Sequence, residues 1–244
     1  MLTKRYTSWH RGEHLREWAV LRHVHRHEPE LVPRPLAADL DARPPSVAMS
    51  RLPGAPLGGT LTDAQRCALA TAIDMLWSVP CAPSPEIGPW TDDLGFARRL
   101  TDGPRPVGGM TAVAYDAAQA WWDGPDPALL RQQPDVTVLG HRDPNLANYL
   151  WDGRRVRIVD FEDSAVSDPA TELAIFAEHL STRAVDAGEF CASFEVDQQR
   201  LRAGRRLWAM FWLRLLLPGG PAARRNPPGS ADTQARRLLT LLRS

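Results

Sequence analysis

Gly140 to Asn148 reads Gly-His-Arg-Asp-Pro-Asn-Leu-Ala-Asn, and twelve residues after Asn148 a second acidic stretch, Asp160-Phe-Glu-Asp163, follows the apolar run Val156-Arg-Ile-Val159. This pattern allows few local folds. The β-branched run Val136-Thr-Val-Leu139 predicts a strand leading into the loop. Tyr149 to Trp151 and Arg155 to Val159 predict two further strands joined at the turn Asp152-Gly153. Pro144 disfavours helical backbone at Asp143 and keeps the loop extended. The order is therefore strand, loop, hairpin and acidic tip.

An Asp and an Asn five residues apart are common turn formers, so the pair alone carries little. Set between strands and followed by Asp160, they match what phosphoryl transfer needs. Charge spreading over phosphate oxygens must be held, and a hydroxyl must be aimed in line with the transferred group. Asp143 can accept the proton of an attacking hydroxyl, while the Asn148 amide oxygen and the Asp160 carboxylate are hard ligands suited to Mg²⁺. His141 is expected to orient the loop rather than react.

Together with Ser167-Asp-Pro-Ala-Thr-Glu-Leu-Ala174, these segments resemble the aminoglycoside phosphotransferase and choline kinase-like family. The resemblance implies a two-lobed, protein-kinase-like α+β fold, with a small incomplete β-sheet lobe and a larger, mainly helical one. It also implies transfer of a phosphoryl group from ATP or GTP to a small-molecule hydroxyl. On it, Asp143 is the catalytic base, Asn148 and Asp160 are the Mg²⁺ ligands, and Asp168 braces the catalytic loop. Two positions depart from the family pattern: Arg142 stands where Gly is usual, and Glu172 where Asp is usual.

Only one of the 29 basic residues is lysine, and it is Lys4. A compact ammonium kept in a chain that otherwise writes arginine suits a contact to nucleotide phosphates. Glu17 follows in a helical stretch, Glu13 to His27, whose Leu15, Trp18, Leu21 and Val24 are expected on one buried face. The resemblance pairs Lys4 with Glu17 as an ion pair; a frayed terminal lysine and a solvated glutamate are the plainer alternative. Met49-Ser-Arg-Leu-Pro-Gly54 resembles the hinge of the family, which places Met49 and Arg51 against the nucleotide base. The expected division is residues 1–57 for the first lobe and hinge, and 58–244 for the catalytic lobe.

Three residues precede Lys4, whereas two strands, a tight glycine turn and a lead-in need roughly 15–25. The phosphate-covering hairpin of the template is thus expected in coding sequence upstream of Met1, and restoring it is expected to raise catalytic efficiency about tenfold or more. A catalytically silent ligand-binding relative, or a remnant, is the alternative that this gap favours.

Elsewhere, Thr62-x-x-Gln65 is a capping box before a helix with Leu69, Ile73, Leu76 and Trp77 on one face. Asp168-Pro169 is an N-cap with proline in the first turn. Pro80 to Gly109 is expected to wrap the surface, with a short helix near residues 93–100, and a further helix is expected from about Thr111 to Trp122. Trp208, Phe211, Trp212 and Leu215 predict a buried helical stripe.

At 244 residues and 43% apolar content the chain can bury a sizeable core. Three scattered cysteines do not make a disulfide framework, no signal segment is visible, and the longest apolar run is cut by Arg214, so a cytoplasmic enzyme without a membrane partner is expected. Residues 197–244 hold ten Arg against two Asp, within a chain of zero net charge. Without interleaved aromatics these are read as the wet face of a helix pair, not a nucleic-acid site. His23, His25 and His27 lack completing ligands for a metal. Glu162, Asp163 and Glu178 could line a wall for a cationic acceptor, although exposed acids are the commoner explanation. No Asp-Phe-Gly, no Ala-Pro-Glu and no long activation segment lies between Asp160 and Asp168, which argues against a protein substrate.

Overall fold

The structure is a computed structural model, described here for residues 1–81 and 93–244. The part of the expected surface wrap between residues 82 and 92 lies outside the described residues.

The first lobe is built from β1 (Leu2–Arg5), α1 (Glu13–His27), β2 (Pro35–Asp39) and β3 (Ser46–Met49). The three strands form an antiparallel sheet in the order β1-β3-β2, with Lys4 opposite Val47. The strand carrying Lys4 is thus an edge of this sheet among the described residues. α1 has the bounds its periodicity predicts, but its buried face differs. Leu15 is exposed, while Glu13, His14 and Glu17 are buried beside Val20, Leu21 and Val24. In the N-terminal half of α1, Glu17 meets Lys4 and Glu13 meets Arg11, so a polar face turns inward there, and the C-terminal half meets the apolar core.

β4 (Ala55–Pro56) crosses to pair with β6 (Tyr149–Trp151), which forms the expected hairpin with β7 (Val156–Ile158). α2 (Asp63–Ser78) opens on the capping box: Thr62 Oγ1 accepts from the Gln65 N–H at 3.3 Å, and Gln65 Oε1 accepts from the Thr62 N–H at 2.9 Å. Leu69, Ile73 and Leu76 are buried as expected, and Trp77 packs on Phe194. α3 (Asp93–Thr101), α4 (Gly109–Trp121) and α5 (Asp126–Arg131) precede β5 (Val138–Gly140), which pairs antiparallel with β8 (Ala165–Ser167). The chain then runs through α6 (Pro169–Glu178), a 3₁₀ turn (Leu180–Thr182), α7 (Ala187–Ala192), α8 (Gln198–Leu216) and α9 (Ser230–Arg243).

α6 is buried on every side, and α8 packs across it with Gly204 at the crossing. A Cβ at Gly204 would lie 2.8 Å from Ala174 Cβ, so glycine sets how closely the two helices approach. The stripe on α8 is shifted from the expected one. Leu201, Leu207, Met210 and Leu213 are buried with Trp208, whereas Phe211, Trp212 and Leu215 are half-buried. The arginines of this helix pair also depart from expectation, because several turn inward. Arg200 is buried against Asp168, Arg206 meets Asp126, and Arg205 and Arg237 meet Glu178, whose side chain is wholly buried. α6 carries acids into the core, and a buried carboxylate persists only where a cation neutralises it.

Candidate active site

β5 delivers the chain into the loop 141–148, and the loop is tied down from three directions. His141 is buried, and its Nε2–H donates to the Val159 carbonyl at 2.9 Å, with the ring edge-on to Phe161. That bond ties the start of the loop to the residue before Asp160. Asn148 donates its amide N–H to the Asp143 carboxylate at 3.0 Å and to its main-chain carbonyl at 3.1 Å. The Asn148 carbonyl in turn accepts from the Val159 N–H at 3.0 Å. Three residues scattered over 18 positions are thereby drawn together: Asp143, Asn148 and the segment ending in Asp160.

The third tie comes from α6. The Arg142 N–H donates to Glu172 Oε2 at 3.2 Å, and the buried Arg142 guanidinium pairs with Asp93 of α3 and lies 3.9 Å from Glu172 Oε1. Asp168, expected to brace the loop, instead caps α6 by accepting from the Thr171 N–H at 2.9 Å, and it holds Arg200. Glu172 makes the brace. Burial pushes the Glu172 carboxyl above its usual pKa range, and the Arg142 charge opposes that shift.

Arg142 sits at φ 67°, where a side chain is strained, and glycine there would be relaxed. Relief of about 1–2 kcal/mol would still be outweighed by the roughly 3–5 kcal/mol lost when a buried ion pair loses one partner. Arg142→Gly is therefore expected to lower the thermal midpoint despite restoring the residue usual at this position in the resembled family. A calorimetric scan showing a higher midpoint would overturn this ranking.

Across the cleft, Lys4 Nζ lies 3.1 Å from Glu17, 2.8 Å from Glu162, and in contact with Asp160. The expected Lys4 and Glu17 pair is present, on a glutamate with 1% exposure. Burial alone would lower the Lys4 pKa, but Glu17 and Asp160 more than reverse this and hold it above the usual lysine value. Glu17 is pushed upward by burial and pulled back by Lys4. Glu162 was legible only as a general acidic residue; the turn after Asp160 brings it into the cluster, with its carbonyl held by Arg16 Nε at 2.6 Å. The supposed acidic wall is not formed. Glu162 serves Lys4, Asp163 faces Arg11, and Glu178 is enclosed by arginines. Met49 ends β3 as a buried residue, and Arg51 follows it exposed.

Carboxylate oxygens of Glu17, Asp160 and Glu162 come within 4.8 Å of one another. Three carboxylates face one ammonium there, and all the donors are hard oxygens, which suits a divalent cation of the Mg²⁺ type. Asp160 lies at φ 70°, a strained conformation of the kind that clusters at functional sites.

Residues 2–212 match the model of the Phosphotransferase enzyme family, and the chain belongs to that family. Its fold is similar to a choline/ethanolamine kinase family protein from Mesorhizobium loti, with a TM-score of 0.70 at 16% identity over 99% of this chain and 82% of that one. It is similar to the choline kinase LicA from Streptococcus pneumoniae, with a TM-score of 0.64 at 11% identity over 99% and 85% of the two chains. A thermostable mutant of aminoglycoside phosphotransferase APH(4)-Ia, in a ternary complex with ADP and hygromycin B, gives 0.60 at 19% identity over 93% and 82%. No curated protein sequence matches the chain. At these identities the solved structures establish the kinase-like α+β fold. No helix among the described residues is long and apolar enough to cross a membrane.

Proposed function

We propose that this protein is a Mg²⁺-dependent phosphotransferase that moves the γ-phosphoryl group of ATP or GTP to a hydroxyl of a small molecule. The observation that carries this reading is that Asn148 holds the Asp143 carboxylate and is bonded through its carbonyl to Val159, next to Asp160, whose own carboxylate meets Lys4 paired with Glu17. The nucleotide complexes of the similar aminoglycoside phosphotransferase support a nucleotide donor. Residues 1–57 are taken as the nucleotide lobe with its hinge at Met49 to Arg51, and 58–244 as the catalytic lobe.

In this reading Asp143 accepts the proton of the acceptor hydroxyl as its oxygen bonds to the γ-phosphorus. The bond from that phosphorus to the β-γ bridging oxygen breaks, and the nucleoside diphosphate leaves. Asn148 fixes the Asp143 carboxylate through its amide N–H, which leaves its amide oxygen as the atom able to ligate metal. Asn148 and Asp160, with Glu162 beside them, would hold Mg²⁺, which supplies neutralisation of phosphate charge. Lys4 would contact the phosphates, positioned by Glu17.

A thermal-shift titration tests the ligand set. Mg·ATP at a hundredfold its dissociation constant is expected to stabilise the wild type by about 2.7 kcal/mol. Asp160→Ala is expected to abolish that shift. Equal shifts with and without Mg²⁺, or in the variant, would contradict the reading and favour a silent ligand-binding protein.

A further inference from the structure

We infer that His179 is a second group on the acceptor hydroxyl, its Nε2–H donating to the same oxygen whose proton Asp143 removes. This inference rests on the phosphotransferase reading and adds a residue to its acceptor site. His179 ends α6, and the 3₁₀ turn that follows folds its ring back over the catalytic loop.

Its tautomer is fixed by what surrounds Nδ1. The Ser181 N–H donates to His179 Nδ1 at 3.2 Å, so that nitrogen is an acceptor. The Ser181 hydroxyl lies 2.8 Å from Nδ1 and itself accepts from the Leu146 N–H of the catalytic loop at 2.9 Å, which directs its own proton onto Nδ1. The neutral ring then carries its hydrogen on Nε2. Trp212 stands edge-on to the imidazole with centroids 5.0 Å apart, which sets the ring plane.

Nε2 is 3.7 Å from Asp143 Oδ1. That is too long for a direct hydrogen bond, yet one oxygen between them can lie about 2.6–3.2 Å from both. The other Asp143 oxygen is already held by Asn148, so Oδ1 is the one presented to a substrate. An acceptor hydroxyl placed there donates to Asp143 and accepts from His179, which fixes both its position and the lone pair left to attack phosphorus. Burial holds the His179 pKa below its usual value, the Asp143 charge acts against this and the Arg183 charge with it, so the ring stays neutral at pH 7. His179 gives up no proton; the transferred proton goes to Asp143.

Water is the acceptor probe, because hydrolysis of Mg·ATP needs the same oxygen position. His179→Phe keeps an aromatic ring on Trp212 but removes the donor, and is expected to lower phosphate release about tenfold or more. His179→Gln restores an N–H donor and is expected to recover most of that loss. Both variants are expected to keep the Mg·ATP thermal shift of the wild type, which reports folding and nucleotide binding separately. Nitrogen-15 spectra of the wild-type imidazole are expected to show a bare Nδ1 and a protonated Nε2. Unchanged hydrolysis in His179→Phe with an active wild type, or the opposite tautomer, would overturn the role of His179 alone. A wild type that neither releases phosphate from Mg·ATP nor forms a phosphomonoester with any hydroxyl compound would sink the phosphotransferase reading and this inference with it; with a phosphomonoester but no free phosphate, the same His179 comparison is read on the phosphomonoester.

Discussion

Asp143→Asn is expected to lower phosphoryl transfer by about 10²–10⁴, the range associated with loss of a positioned general base. The substitution keeps the shape of the side chain. One oxygen that accepts from the Asn148 amide remains available, so the loop geometry is expected to survive. What disappears is the basic oxygen facing the acceptor. Because Asp143 makes no ion pair with Lys4 or Arg142, nucleotide binding and the thermal midpoint are expected to stay near the wild type. A fall in turnover with unchanged Mg·ATP affinity assigns the loss to the chemical step. Full turnover in the variant would remove Asp143 from the mechanism.

The largest stability effect is expected at Asp168, outside the chemistry. Its carboxylate is buried, caps α6 through Thr171, and faces Arg200 Nε at 3.0 Å. Arg200 also donates to the carbonyls of Leu129, Leu130 and Gln132, closing the C-terminal end of α5. Asp168→Ala removes the carboxylate while the guanidinium stays buried. The expected cost is about 3–5 kcal/mol for a broken buried pair, with roughly 1 kcal/mol more for the lost cap. Against a total stability of about 5–15 kcal/mol, this could leave a large unfolded population at 37 °C. Denaturant titration measures it directly. A cost below about 1 kcal/mol would mean that the Asp168 carboxylate is not what holds Arg200.

The parts of the fold that were legible in the sequence are those whose cause is local. The bounds of α1 follow from a continuous helical pattern, the start of α2 from the reciprocal Thr62 and Gln65 bonds, and the start of α6 from Asp168-Pro169. The hairpin of Tyr149 to Ile158 follows from its strands and its Asp-Gly turn. What was not legible depends on partners distant in sequence. Glu178 looked like a free acid, yet its neutralising arginines lie 27 and 59 residues away on two other helices. Periodicity also assigned Leu15 to the core, when the pull of Lys4 on Glu17 turns a polar face of α1 inward. In the candidate site, Asp143, Asn148 and Asp160 are proposed from their spacing and strand context. Glu162 and Glu172 were not, since neither motif spacing nor composition distinguishes an acid that braces a loop from one that faces water. His179 reaches Asp143 only because a 3₁₀ turn follows α6.

On the proposed function, a γ-phosphoryl group is transferred with Asp143 as base. Phosphorus NMR of Mg·ATP incubated with the protein and a panel of hydroxyl compounds, choline and hygromycin B among them, tests it most directly. The predicted result is ADP together with a phosphomonoester or free phosphate, dependent on Mg²⁺ and at least a hundredfold slower in Asp143→Asn. An unchanged ATP spectrum with the wild type, or equal rates in the two proteins, would contradict it.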